Sequence, residues 1–158
     1  MNKFEKISAR QFAVDISDKC AYDDVNLPVR ATKNSAGYDF FSPFDFTLAA
    51  GESIKVPTGI RVLLDDDKVL LIAPRSGLGF KYRLQLDNTL GVVDADYSGS
   101  DNEGHIFIKI TNDSKENKTL SVKKGEAFAQ GIIVQFFKTA DDDATKERNG
   151  GFGSTNGK

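Results

Sequence analysis

The stretch "GIRVLLDDDKVLLIAP", Gly59–Pro74, decides the fold class. Its first half alternates, with Ile60, Val62 and Leu64 on one face and Arg61 on the other. That is the period-two pattern of a half-buried strand. "DDDK", Asp65–Lys68, breaks the pattern as a charged turn. "VLLIAP" then runs apolar without alternation, as a strand covered on both faces does. Strand, turn and buried strand within sixteen residues leave no room for a helix.

The same reading extends along the chain. "FDFTL" puts Phe44, Phe46 and Leu48 on one side, and "HIFIKI" sets Ile106, Ile108 and Ile110 against Phe107 and Lys109. "TLSV" adds Leu120 and Val122, and "GIIVQFF" is a second run expected to be buried on both faces. "AAGES", "VPTG", "NDSKEN" and "KKGE" separate them as turns. Short strands at this spacing predict a sandwich, jelly roll or barrel. Helical signal is nearly absent. One short turn is expected in "RSGLGFKYR", with Ser76 as its N-cap.

The 158 residues suit one domain. Hydrophobic residues at 39% and charged residues at 28% place the chain among globular proteins. A net charge of -2 argues against a general nucleic-acid or anionic-membrane binder. No apolar run reaches bilayer length and no signal sequence is read. A single cysteine, Cys20, and a single histidine, His105, exclude an internal disulfide and a zinc finger. The expected setting is a reducing cytoplasm. Composition shifts at Thr139. Residues 1–138 are read as the folded domain and residues 139–158, "TADDDATKERNGGFGSTNGK", as a flexible Gly-rich arm.

Four places suggest chemistry, each beside a plainer alternative. "GGFGSTNGK" is not a P-loop, because its glycine spacing is wrong and no helix can follow. Its backbone with Ser154 and Thr155 could wrap an anion, or the segment could be a simple tail. "PRSGLGF" sets Arg75 and Ser76 after a strand, as a phosphate site or as an ordinary cap with a solvated arginine. "GVVDADYSG" carries Asp94 and Asp96 on one strand face, as a general base or metal pair, or as an Asp-rich turn. The preceding Val92 and Val93 lead us to expect a partly buried Asp94. Asp39 in "SAGYDFF" reads alone as an edge residue. His105 reads as structural, and Cys20 has no assigned role.

Five segments stand in order: "AGYDFF", "PRSGLGF", "LDNTLGVVDADYSG", "GEAFAQ" and "RNGGFGST". Together they resemble the homotrimeric dUTPase family over residues 28–156. The resemblance implies an all-β, jelly-roll-like β-barrel. It implies hydrolysis of dUTP to dUMP and pyrophosphate with Mg²⁺, which limits uracil in DNA and supplies dUMP for dTMP synthesis. By resemblance, Asp94 deprotonates the water that attacks the α-phosphorus. Tyr97 packs on deoxyribose, and Asn88 with its hairpin reads uracil. Arg75, Ser76, Gly77 and Gln130 contact phosphates. Phe152 stacks on uracil as the arm closes, while Arg148, Gly153, Ser154 and Thr155 reach the γ-phosphate. No direct protein ligand to Mg²⁺ is implied. The phosphates and water hold it, with Asp39 and Gln130 acting through water. The implied assembly is a homotrimer whose sites are shared between chains.

The chain departs from the family pattern at three points. "SDNEGH", Ser100–His105, intervenes where the family passes straight into a strand. Arg148 stands one residue closer to Phe152 than usual, and Asn156 interrupts "GSTNG". Two other readings remain open. A dCTP deaminase would share the fold but needs a general acid/base at the base ring. A non-catalytic nucleotide-binding relative would use the fold as a scaffold.

Overall fold

The structure, a computed structural model, describes residues 1–146 and Arg148. The strands are β1 (Lys3–Lys6), β2 (Val29–Arg30), β3 (Tyr38–Phe41), β4 (Phe46–Leu48), β5 (Ser53–Pro57) and β6 (Ile60–Leu63). They continue as β7 (Lys68–Pro74), β8 (Leu84–Leu86), β9 (Gly91–Asp94), β10 (Phe107–Asn112), β11 (Leu120–Val122) and β12 (Ala127–Gln135). Two short helices interrupt them, α1 (Ala9–Asp15) and α2 (Ser76–Tyr82).

The period-two segments are all strands. They lie in a five-stranded sheet, β2-β3-β12-β7-β9, a three-stranded sheet, β5-β10-β8, and two pairs, β11-β4 and β1-β6. Every pairing is antiparallel. The two unbroken apolar runs fall on β7 and β12, neighbours near the middle of the large sheet, but they are not buried on both faces as expected: Leu70, Ile72 and Phe128 are buried, Leu71, Ile132 and Val134 are only half-buried, and Phe136 and Phe137 lie beyond β12 and are exposed. Their ladder runs from Ala129↔Pro74 to Gln135↔Lys68. The described strands build a jelly-roll-like β fold of stacked sheets, not one closed barrel.

The core lies between the sheets. Phe40, Leu70, Ile72, Val93 and Phe128 of the large sheet share one buried cluster with Val56, Leu84, Leu86, Ile108 and Ile110 of the smaller one. Gly131 is required by close packing. A Cβ there would stand 2.8 Å from Leu70 Cδ1 and 2.9 Å from Phe40 Cε2.

The helical content differs from the sequence expectation. α1 was not anticipated, although its signals are present in retrospect. Ser8 caps it, its Oγ accepting from the Gln11 N–H at 3.1 Å. Ile7 and Phe12 occupy the positions of a hydrophobic staple, and both are buried. At α2 the cap is Arg75, which makes no side-chain capping bond, so Ser76 is the first helical residue and not the N-cap.

Candidate functional site

Three clusters hold the expected residues. The first is at the C-terminal end of β7, where the chain turns into α2. Arg75 Nε lies 3.3 Å from Asp39 Oδ1. Asp39 sits on β3 directly opposite Gln130 of β12, so the sheet register brings both to the same end. Gln130 Nε2 donates to the Pro74 carbonyl at 3.2 Å, fixing its amide beside the turn. Gly37 leaves space there, since a Cβ would come 2.6 Å from Gln130 Oε1. Arg75, Ser76 and Gly77 border a shallow depression of about 400 Å³ with Ser121 and Glu126.

The second cluster is a cleft of about 530 Å³ between the sheets. Asn88, Gly91 and Leu86 form one wall, Phe107 and Lys55 another, and Asn102 reaches in from the intervening loop. Lys55 Nζ stands 4.5 Å from the centroid of the Phe107 ring. The segment around Asn88 is a corner between sheets and not the expected paired hairpin. β8 pairs with β10, whereas β9 pairs with β7. The corner is tight: Thr89 N–H donates to the Leu86 carbonyl at 2.9 Å, and Thr89 adopts a φ of 68°. Next to it, Lys109 lies 2.7 Å from Asp87 and holds that carboxyl below the usual carboxylate range, helped by the Thr111 hydroxyl.

The third cluster follows β9. Asp94 is the last residue of the strand, and Ala95–Gly99 form a 3-10 turn. Asp94 and Asp96 therefore do not share a strand face as expected. Asp94 is also not partly buried: its side chain is 51% exposed. Successive side chains of β9 alternate, so Val93 points inward while Val92 and Asp94 share the outer face. Arg148 bridges the two carboxylates, 3.3 Å from Asp94 and 3.5 Å from Asp96, with its guanidinium 5.5 Å from the Tyr97 ring centroid. Tyr97 is only 3% exposed. Its hydroxyl donates to the His105 carbonyl at 2.8 Å and accepts from Asn102 Nδ2 at 3.0 Å. Burial pushes the phenol pKa up.

The structure thus brings Asp39, Arg75 and Gln130 together, and separately Asp94, Tyr97 and Arg148. It does not unite the two sets. Asp94 is registered opposite Val69, at the far end of β7 from Arg75. Six residues at about 3.3 Å each separate Val69 from Arg75, roughly 20 Å. Phe152, Gly153, Ser154 and Thr155 lie outside the described residues. Sequence reasoning missed Asn102, because the loop that carries it was read only as a departure from a pattern. It also missed Lys55, which reads in sequence as a solvated strand residue.

His105 is structural, as read. It is fully buried, its Nδ1 lies 2.7 Å from Asp15 Oδ2, and its Nε2 accepts from the Gly59 N–H at 2.9 Å. An acceptor at Nε2 requires the proton on Nδ1, so the ring is neutral and donates to Asp15. Among the described residues, no three His, Cys, Asp or Glu side chains converge as a metal-ligand set. No described helix is long and apolar enough to cross a membrane.

Comparison with known proteins bears on the chain as a whole. A family model described as dUTPase matches residues 23–156. The deoxyuridine 5'-triphosphate nucleotidohydrolase of Lactococcus lactis is 39% identical over 135 residues, 83% of this chain and 88% of that protein. The Hahella chejuensis protein of the same name is 37% identical over 150 residues, 90% of this chain and 94% of its own. Among solved structures, the dUTPase from Streptococcus mutans superposes with a TM-score of 0.67 at 32% identity, covering 86% of this chain and 97% of that one. A variant dUTPase from phage phi11 of S. aureus, described with a coordinated structural Mg(II) ion, shares the fold at a TM-score of 0.67 and 20% identity, covering 92% of this chain and 97% of that one. With a match of this extent behind its five ordered motifs, the chain belongs to the dUTPase family.

Proposed function

We propose that this chain hydrolyses dUTP to dUMP and pyrophosphate, with Asp94 as general base. Asp94 ends β9 with an exposed carboxylate, next to the turn that carries Tyr97, whose hydroxyl bonds Asn102 of the Asn88 cleft. That placement is the observation that carries the reading. A base must reach a water molecule, and a half-exposed strand end permits it. In this scheme water oxygen bonds to the α-phosphorus as Asp94 takes its proton. The bond to the bridging oxygen breaks, and pyrophosphate leaves with the electron pair.

Asn88 and the backbone of its corner would read uracil at the cleft wall. Tyr97 would lie under deoxyribose, once Arg148 yields the ring face. Arg75, Ser76, Gly77 and Gln130 would bind phosphate oxygens through a guanidinium fork, a hydroxyl, an amide and backbone N–H groups. The arm, residues 139–158, would close the site with Phe152 over the base. Arg148, Gly153, Ser154 and Thr155 would then be near the γ-phosphate.

The first cluster suits Mg²⁺ chemically: Asp39 and Gln130 offer the oxygen donors this ion prefers, side by side on paired strands. Arg75 already engages Asp39, which favours contact through water over direct ligation. When bound, the ion would neutralise phosphate charge.

The 20 Å gap between Asp94 and Arg75 supports sites shared between subunits. Both groups must serve one substrate, and one chain holds them too far apart. A homotrimer resolves this, each site drawing Asp94 from one chain and Arg75 from another.

The test is a panel of dNTPs and UTP incubated with Mg²⁺, scored for pyrophosphate and for base identity. Pyrophosphate release from dUTP alone is expected. Conversion of dCTP to dUTP would favour deamination, and no turnover would favour a binding role.

A further inference from the structure

The loop Ser100–His105 departs from the family pattern, yet it is neither loose nor remote from the site. It docks on α1 at both ends. Glu103 Oε2 accepts from the Ser8 N–H at 2.8 Å and its Oε1 from the Ser8 hydroxyl at 2.6 Å. This replaces half of a capping box. Gln11, three residues after the cap, would ordinarily bond that N–H but instead donates to Asp15 at 2.7 Å. At the other end, His105 binds Asp15. Gly104 closes the loop against the 3-10 turn with a φ of 75°. A Cβ there would fall 2.7 Å from Ser98 Cα, which is backbone and cannot yield.

Within this frame Asn102 has every polar direction assigned. Its Oδ1 accepts from the Gly104 N–H at 3.2 Å, so Nδ2 is turned to the Tyr97 hydroxyl at 3.0 Å, with a longer contact to the His105 carbonyl at 3.4 Å. That hydroxyl gives its proton to the His105 carbonyl and can only accept from Asn102. The same Asn102 lines the cleft that holds Asn88 and Gly91. It is the one described side chain that both lines this cleft and bonds the Tyr97 hydroxyl.

We propose that Asn102 is a positioning residue that fixes the Tyr97 ring and thereby sets the preference for deoxyribose over ribose. The inference rests on the reading that Tyr97 packs against the sugar. A ring held at its hydroxyl by two partners of one rigid loop cannot tilt away from a 2′-hydroxyl. A ring held by the His105 carbonyl alone has a softer pivot, and the steric penalty against ribose falls.

The experiment is kcat/KM for dUTP and UTP, with melting temperature, for Asn102→Ala, Asn102→Asp, Tyr97→Phe, Tyr97→Ile and Tyr97→Phe/Asn102→Ala. Asn102→Asp keeps shape but removes the donor, and serves as the second variant if alanine impairs folding. The expected result is a drop in the dUTP:UTP ratio of about 5- to 10-fold in both Asn102 variants, the scale of one neutral hydrogen bond. Tyr97→Phe, which deletes this bond and the one to the His105 carbonyl, should give at least as large a drop, and adding Asn102→Ala to it should cost little more, because the Asn102–Tyr97 bond is already gone. An unchanged ratio, whether rates stay or fall together for both substrates, overturns the proposal and leaves a loop that only supports the fold. The Tyr97→Ile result separates the two levels. If that variant loses discrimination while the Asn102 variants keep it, the Asn102 proposal alone fails. If Tyr97→Ile also keeps it, the sugar role of Tyr97 fails and carries the Asn102 proposal with it.

Discussion

At the residue scale, the chemistry turns on Asp94. Its carboxylate ends an edge strand, half exposed, with Arg148 at 3.3 Å. A carboxylate that solvent can reach is placed to take a proton from a water that is itself held close. Asp94→Asn keeps size and removes that capacity. Loss of a general base typically costs about 10²- to 10⁴-fold. Because Asp94 sits at a solvent-facing end and outside the buried cluster, the substitution should leave the melting temperature near wild type. The expected outcome is a kcat lower by at least 10²-fold with dUTP binding retained, measured by pyrophosphate release and by calorimetric titration. Near-normal turnover would remove Asp94 from the mechanism. The sequence pointed to this residue through a motif, but its exposure was misjudged. Val92 and Val93 suggested burial. On a strand with one covered face every second residue faces solvent, and which face is covered depends on elements far away in the chain.

At the element scale, the loop Ser100–His105 and α1 act as a clamp, and one buried ring governs its pH response. Burial pushes the His105 pKa below its usual 6.5, with the Asp15 hydrogen bond opposing, Lys55 lowering it further and Glu103 raising it. The folded protein therefore resists a proton that the unfolded chain accepts. Stability from this group is complete above about pH 6.5 and is lost as pH falls toward the depressed folded value. Carboxylates held low by their partners, such as Glu5, Glu103 and Asp113, contribute in a separate window below about pH 4.5. Urea midpoints measured from pH 7.5 to 5.5 should decline in the wild type. His105→Gln, less stable at pH 7.5, should show a flatter profile over that range. Equal slopes would mean that His105 does not control it. This clamp was not legible from the residues. α1 has only seven positions, one buried side chain of its own and the polar spacing of a turn. Its partners lie some ninety residues away in a loop without periodicity. The strands were legible because alternation is local, and β7 and β12 were legible as unbroken apolar runs between turns. The corner at Asn88 was not. Whether two consecutive strands pair with each other or with others is a long-range choice.

At the scale of the whole molecule, the proposed sharing of sites between subunits is what can be tested. Arg75 with Asp39 and Gln130 stands at one end of β7, and Asp94 with Tyr97 at the other. A single chain also leaves Phe80 92% and Phe137 87% exposed, side chains that subunit contact would cover. The segment 139–158 adds reach. Read from its composition as a flexible arm, its twenty residues would span on the order of 25 Å, enough to cross to a neighbour's site. Two defective chains should then complement each other. One carries Asp94→Asn, and the other lacks residues 147–158 and with them Arg148, Phe152, Ser154 and Thr155. The truncated chain should melt near the wild-type temperature, because the deleted sequence is polar and glycine-rich and the buried cluster of the described residues lies outside it. It should nevertheless be nearly inactive, having lost stacking worth about 1–3 kcal/mol together with its γ-phosphate contacts. Refolding the two together gives mixed assemblies in which some sites take an intact Asp94 from one chain and an intact arm from another. Activity should return to a fraction of wild type that follows the mixing ratio, while each variant alone stays inactive. Native mass spectrometry of the mixture tells whether subunits have exchanged and how many each particle holds. Mixed trimers without restored dUTP hydrolysis would mean that Asp94 and the arm act within one chain. Restored activity in particles of another size would keep the sharing and discard the threefold symmetry.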